Sequence, residues 1–194
     1  MKKKDNIGVF IDLQGTLGGE SLGDISNFKF YDNAKKALLK FNENNINIFI
    51  VTNQSHIAKA VITLEEYKEG ELKLLEELDE SGINIKEIYY CPHRQSDNCM
   101  CRKPSLFFAN MAKEKYSLDL TQSYFIGDIL RSDMKLAENA GGIGVLVQTG
   151  QGKISKDKYN SLAIDERYPR INILENIEDA ANWILIDIEK GAVK

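Results

Sequence analysis

The stretch VFIDLQGTLGG, residues 9–19, carries an apolar run into Asp12 and then into a glycine-containing turn. A carboxylate placed there can act as a nucleophile, because a tight turn bares backbone N–H groups that hold phosphate oxygens. A second carboxylate, Asp128 in IGDILRSD, could join Asp12 in holding Mg2+, a hard cation that takes oxygen ligands together with substrate phosphate. Thr52 in VTN offers a hydroxyl and Lys103 in CRKP a positive charge, both suited to a transferring phosphoryl group. Two residues after Asp12 stands Gln14, which can hydrogen-bond but cannot exchange a proton at neutral pH.

All three cysteines and one of the two histidines fall within CPHRQSDNCMCRKP, spaced Cys91-x-His93-x5-Cys99-x-Cys101. An odd, tightly clustered set argues against a disulfide framework. Three thiolates and one imidazole make a closed tetrahedral Zn2+ set of the structural kind, with chance clustering of core thiols as the competing explanation. Zinc held there would pin loop 91–103, which leads directly into Arg102 and Lys103, and so fix both charges against a substrate.

These residues need elements to bring them together. Near-continuous apolar runs over 6–12, 46–53, 83–91, 122–128 and 142–148 read as strands of a parallel sheet covered on both faces. Helical patterns lie between them. Residues 32–45 carry Ala34, Leu38 and Phe41 on one stripe, and 64–81 carry Leu64, Tyr67, Leu75 and Leu78. Thr63 and Glu66 form a capping-box pattern in front of the second, with Gly82 as its stop. Residues 105–116 place Phe108, Met111 and Ala112 inward, 132–140 end at Gly141-Gly142, and 176–188 hold Ile177, Ala181, Ile184 and Leu185. The polar stretch 148–169 shows no clear periodicity and reads as a long surface loop or flexible flap. Alternating β and α elements imply an α/β, doubly wound, mostly parallel sheet of Rossmann-like type. Its ligand site lies at the carboxyl ends of the strands, where Asp12, Thr52-Asn53 and Asp128 should converge. No segment between Asn53 and Tyr90 is large enough for a mobile cap, which leaves loops 17–31, 91–103 and 148–169 to cover the site.

The bulk properties fit a single domain over residues 1–194: 43% hydrophobic and 28% charged residues, with a net charge of −4. That charge, with no basic aromatic stripe, argues against nucleic acid as a partner, and no apolar run approaches a membrane span. The lysine-rich start lacks the long apolar core of a signal peptide. A cytoplasmic monomer acting on a small phosphorylated molecule is the expectation.

DLQGTL, VTN, CRKP and GDILRSD, in that order, resemble the four motifs of the haloacid dehalogenase superfamily of phosphatases. The resemblance spans roughly residues 7–148 and carries the fold named above. It implies that Asp12 forms an aspartyl-phosphate and that Thr52 and Lys103 bind the phosphoryl group. It further implies that Asp128 ligates Mg2+ with Asp12 and the backbone carbonyl of Gln14. Asp133, the second acid of the fourth motif, would position a metal-bound water or the lysine. The Cys91-His93-Cys99-Cys101 loop is similar to the zinc loop of the histidinol-phosphate and D,D-heptose 1,7-bisphosphate phosphatases within that superfamily. TNQSHIAKA looks like their loop of the form N-Q-S-G-x-A-R-G, which implies substrate contacts from Asn53, Ser55 and Lys59, while Arg102 would meet the substrate from the cysteine-rich loop. His56 replaces its usual Gly, and is either a proton donor or a polar surface group. Lys59 stands at the usual Arg, and Ile129 where the heptose phosphatases carry a Lys.

In those phosphatases the residue at position 14 is an acid that protonates the leaving group and later deprotonates the attacking water. General acid–base catalysis contributes about 10²–10⁴-fold, so Gln14 predicts intact binding of phosphate and Mg2+ but slower formation and breakdown of the phosphoenzyme. A weakened phosphatase of sugar phosphates or bisphosphates is the favoured expectation. A phosphotransferase or a non-hydrolytic phospho-ligand binder of the same fold is the alternative.

Overall fold

The computed structural model describes residues 6–192, so the basic lead at Lys2–Lys4 lies outside the described residues. Six strands form one parallel sheet: β1 (Gly8–Ile11), β2 (Asn47–Asn53), β3 (Glu87–Cys91), β4 (Tyr124–Gly127), β5 (Ile143–Val147) and β6 (Ile171–Leu174), in the order β3-β2-β1-β4-β5-β6. The helices are α1 (Ala34–Glu43), α2 (Ser55–Ala58), α3 (Leu64–Glu80), α4 (Phe107–Tyr116), α5 (Lys135–Asn139), α6 (Gly152–Ser161) and α7 (Ile177–Ala192).

Strand residues alternate between two buried faces, which is why the strands read as unbroken apolar runs. Val9, Ile11, Ile48, Ile50 and Ile126 meet Leu38 and Phe41 of α1, Tyr67 and Leu78 of α3, and Ile184 and Ile188 of α7. On the opposite face Phe10, Phe49, Val51 and Phe125 meet Ala109 and Ala112 of α4 and Leu136 and Ala137 of α5. The Phe10 ring stacks between Phe49 (5.0 Å) and Phe125 (4.8 Å), tying the three central strands together at the residue next but one before Asp12. Register aligns Ile11 with both Ile50 and Ile126, so the chain leaves β1, β2 and β4 at one end of the sheet. The order reverses between β1 and β4, and a crevice opens at such a switch point.

The capping box at Thr63 and Glu66 forms reciprocally (2.7 and 3.1 Å), and Gly82 at φ +70° follows the end of α3. Some expectations need correction. Leu74 is buried in α3 while Leu64 and Leu75 are exposed, and Met111 of α4 is exposed. The strand expected from residue 83 starts at Glu87, the helix expected from 132 begins as a π-turn over Leu130–Met134, and β6 had no counterpart.

The largest correction concerns 148–169, which contains α6 and a 3₁₀ turn at Ile164–Glu166 instead of a flap. α6 docks through Gly152 and Ser155, so its buried face has no apolar stripe to read. A side chain at Gly152 would collide with the Val147 carbonyl, and the Ser155 hydroxyl donates to the Asp128 carbonyl (2.7 Å) and accepts from Leu130 N–H (3.1 Å). No helix among the described residues is long and apolar enough to cross a membrane, and none forms a large cap over the sheet.

Replacing Phe10 by Ala removes the middle ring of the stack. We expect about 3–5 kcal/mol of destabilisation, measured by urea unfolding.

Candidate active site

β1 delivers Asp12, whose N–H donates to the Ile126 carbonyl (2.9 Å) and so keeps β1 and β4 in register to their last residue. β4 ends at Gly127, where an added Cβ would fall 2.3 Å from the Asp133 Cβ. Only glycine lets the π-turn fold back so closely over the strand. That turn returns Asp133 beneath Asp12: the Asp133 N–H donates to the Ile129 carbonyl (2.9 Å), and Asp133 Oδ2 accepts from Ile129 N–H (3.0 Å).

Lys103 enters from the other side. Its Nζ lies 2.6 Å from Asp12 Oδ1 and 2.7 Å from Asp133 Oδ1, with all three side chains buried. Asn53 positions it, accepting from Lys103 N–H (3.0 Å) and donating to the Lys103 carbonyl (3.4 Å). Of the two roles open to Asp133, the geometry shows contact with the lysine. Burial favours the neutral amine, yet Asp12 and Asp133 hold Lys103 above its ordinary range.

Thr52 ends the buried part of β2, and its hydroxyl donates to Gln14 Oε1 (3.0 Å). Gln54 Nε2 donates to the same oxygen and to Thr52 Oγ1, both at 2.9 Å. Gln14 Nε2 has no protein partner among the described residues. Gln14 is thereby fixed by an amide–hydroxyl triangle, and none of its three members titrates near neutrality.

Asp128 follows β4 and is fully buried. Its Oδ2 accepts from the Ser21 hydroxyl and from Gln151 N–H (2.8 Å), while Oδ1 has no partner among the described residues. Asp12, Asp128 and Asp133 bring carboxylate oxygens within 4.8 Å of one another. Three carboxylates against the single ammonium of Lys103 leave two negative charges uncompensated. Burial pushes Asp12 up to about 7, against Lys103 and with Asp133 and Asp128 adding to the rise. Burial and then Asp133 push Asp128 up to about 6. Such an all-oxygen, net-negative set suits a hard divalent cation, and Mg2+ fits it.

The second metal set also assembles. Cys91 Sγ lies 3.5 Å from Cys99 Sγ and 3.7 Å from His93 Nδ1, with His93 Nδ1 3.3 Å and Cys99 Sγ 3.7 Å from Cys101 Sγ. Tetrahedral zinc at about 2.3 Å from sulfur and 2.0–2.1 Å from nitrogen spaces its ligands about 3.5–3.8 Å apart. A disulfide needs about 2.05 Å, so the cysteines are free thiols of a ligand-like cluster.

Above the carboxylates opens a cleft of about 370 Å³. Asp12, Gln14, Thr52, Asn53, Ser55, Lys59, Arg102 and Lys103 all line it, as does His56, while Asp128 and Asp133 lie beneath its floor. Sequence reasoning missed Ser21, Arg131 and Ser155. Ser21 sits in irregular chain, Arg131 on the short π-turn and Ser155 in a helix without an apolar stripe, so periodicity could not flag them.

A family profile described as HAD-hydrolase-like matches residues 100–180. A D-glycero-beta-D-manno-heptose-1,7-bisphosphate 7-phosphatase from Photorhabdus laumondii is 34% identical over 157 residues, covering 74% of this chain and 81% of the relative. A D-glycero-alpha-D-manno-heptose-1,7-bisphosphate 7-phosphatase from Campylobacter jejuni is 35% identical over 156 residues, 77% of this chain and 86% of the relative. The chain belongs to the haloacid dehalogenase superfamily and is a phosphatase. Its fold matches that of the D,D-heptose 1,7-bisphosphate phosphatase from B. bronchiseptica, a structure complexed with magnesium and phosphate. The TM-score is 0.83 at 23% identity, over 93% of this chain and 99% of that one. This haloacid dehalogenase chain therefore carries the parallel sheet and uncapped crevice that its motifs imply.

The carboxylate cluster gives metal-free protein a definite pH dependence. An Asp12 proton is held by the folded chain and absent from the unfolded one between 3.8 and about 7. Its contribution is therefore full below 3.8 and is lost as pH rises through about 7. Thermal melts should show metal-free stability falling across that window. Mg2+ should raise the midpoint more above pH 7 than below pH 6, where Asp12 and Asp128 keep their protons. An Mg2+ effect independent of pH would contradict the cluster's role.

Proposed function

We propose that this single-domain chain, residues 1–194, is a Mg2+-dependent phosphomonoesterase of a sugar bisphosphate resembling heptose 1,7-bisphosphate. The observation that carries the reading is the buried Asp12–Lys103–Asp133 array under an open cleft, with Thr52 beside it and Asp128 next to it. The names of the relatives support the substrate class.

The Asp12 carboxylate attacks phosphorus; a carboxylate-oxygen-to-phosphorus bond forms as the sugar oxygen leaves with the electron pair. Lys103 and the Thr52 hydroxyl hold phosphoryl oxygens, and Asp133 keeps the ammonium charged and aimed. Asp12, Asp128 and the Gln14 carbonyl would hold Mg2+, which would supply positive charge to the phosphoryl group. Water then attacks phosphorus and releases phosphate and the Asp12 carboxylate. Both steps need a proton moved. Gln14 can only donate an N–H to the departing oxygen, so the proton comes from solvent, the substrate or His56 on the cleft wall. Cys91, His93, Cys99 and Cys101 would hold Zn2+, which would fix the loop that delivers Arg102 and Lys103.

The amide triangle also favours a second reading. A phosphoenzyme without an acid–base residue persists, which suits phosphoryl transfer to another acceptor or a non-hydrolytic binding role.

Phosphate release from heptose 1,7-bisphosphate and a panel of sugar phosphates, with Mg2+, separates the readings when the chain runs beside Gln14→Asp. Turnover by the original chain, rising about 10²–10⁴-fold in the variant, is expected. Turnover by the variant alone would sink hydrolysis in favour of the second reading.

Removing zinc from folded protein should speed amide exchange over residues 91–103 and raise KM more than it lowers kcat. Zinc-free protein with unchanged exchange and kinetics would contradict the pinning role.

A further inference from the structure

A buried amide, that of Gln54, stands behind the residues that line the cleft. Gln54 is 1% exposed and does not reach the cleft, whereas Gln14 and Thr52 both line it. Its Nε2 donates one N–H to Gln14 Oε1 and the other to Thr52 Oγ1, each at 2.9 Å. The Gln14 backbone is fixed as well, because it bridges to Gly18, whose carbonyl accepts from Gly15 N–H (2.7 Å). With its oxygen turned to Gln54 and Thr52, Gln14 keeps Nε2 buried and without a protein partner among the described residues. A departing oxyanion would complete such an unmatched donor on a residue that lines the cleft.

Thr52 has a single hydroxyl proton, which cannot serve Gln14 Oε1 and a phosphoryl oxygen together. Once Thr52 turns to the phosphoryl group, Gln54 is the donor that remains on Gln14 Oε1. We propose that Gln54 is a positioning residue that keeps Gln14 Nε2–H aimed at the leaving-group oxygen. The pair then restricts the enzyme to phosphates with acidic leaving groups, aryl, acyl and anomeric, over those of simple alcohols. As the bond from the Asp12 oxygen to phosphorus forms, the bond from phosphorus to the leaving oxygen breaks, and its electron pair stays on that oxygen. Gln14 stabilises the growing charge through a hydrogen bond and transfers no proton; solvent water protonates the oxygen after departure. A neutral donor assists a group that can leave as an anion and fails one that must leave as the alcohol, whereas a carboxylic acid at position 14 would serve both.

This role rests on the phosphomonoesterase reading, so the first chemical step is followed apart from turnover. The para-nitrophenyl, phenyl and benzyl phosphates have similar bulk and leaving groups of falling acidity. With Mg2+ and protein in excess, single-turnover release of the phenol or alcohol should slow steeply along that series. Gln14→Asp should raise the benzyl rate relative to the nitrophenyl rate by about 10²-fold or more. Gln54→Met should lower the benzyl rate about tenfold more than the nitrophenyl rate, whereas a purely structural lesion would slow all three alike. If that variant does not fold, Gln54→Glu keeps the length but offers no N–H, and should move the ratio in the same direction. A series as flat in the original chain as in Gln14→Asp, an unmoved ratio in the Gln54 variants, or no release from any of the three overturns the role. Phosphate release is measured separately. Release with an unmoved ratio sinks the Gln54 role alone, whereas a moved ratio without phosphate release sinks hydrolysis alone.

Discussion

The Lys103 ammonium is held away from water between the carboxylates of Asp12 and Asp133, at 2.6 and 2.7 Å. Burying such ions costs several kcal/mol each, and only close geometry with further hydrogen bonds offsets it. That condition propagates outward. Asp12 must leave β1 beside β4, Asp133 must fold back over Gly127, and Lys103 must be gripped by Asn53 at its backbone. The three partners are separated by ninety-one residues between Asp12 and Lys103 and by thirty between Lys103 and Asp133. The sheet register is therefore a requirement of the ion cluster as much as of the core.

Gln14 is integrated into this site by different chemistry. Its oxygen accepts from Thr52 and Gln54, which themselves touch, so one small triangle orients the Gln14 amide and the Thr52 hydroxyl together. Gln54 is almost wholly buried, and its amide serves no partner outside the triangle among the described residues. A carboxylate at position 14 would accept from the same two donors, and they would stabilise its charged form. The present arrangement keeps the position rigid and polar while withholding a transferable proton.

Much of the site was legible because strand-end chemistry follows a simple rule. An apolar run that stops at a polar residue places that residue at the sheet's carboxyl edge, as with Asp12, Thr52 and Asp128. The cysteine–histidine spacing was legible because its four residues lie within eleven residues of sequence. Contacts made by backbone or hydroxyl groups were not. α6 packs through Gly152 and Ser155, so no hydrophobic period announces it, and Ser21 reaches Asp128 from an irregular loop. In α3, Leu74 and Leu75 are adjacent and equally apolar; one step of 100° decides which faces the core, and composition does not. Asn53 was expected to touch substrate from the likeness of its loop; it lines the cleft, and its side-chain amide also holds the Lys103 backbone, a contact no sequence pattern announces.

The cysteine-rich loop does more than approach the lysine from one side. β3 pairs with β2 so that Cys91 sits opposite Asn53, and the Cys91 carbonyl accepts from Gln54 N–H (2.7 Å). The Pro92 carbonyl accepts from Ala58 N–H (3.1 Å), and the Arg94 guanidinium returns to the Ala58 carbonyl (2.7 and 3.0 Å). The loop is thus stitched to α2, whose next residue is Lys59. One short segment therefore sets the positions of Lys103 on the cleft floor and of Arg102 and Lys59 on its wall. A chain with only the sheet to position these cations would leave two of them on exposed loop, where backbone and side-chain entropy would scatter their charges. Tying the loop to a compact cluster of three thiols and an imidazole removes that freedom before any ligand arrives, which is how an uncapped cleft can still present a shaped array of charge.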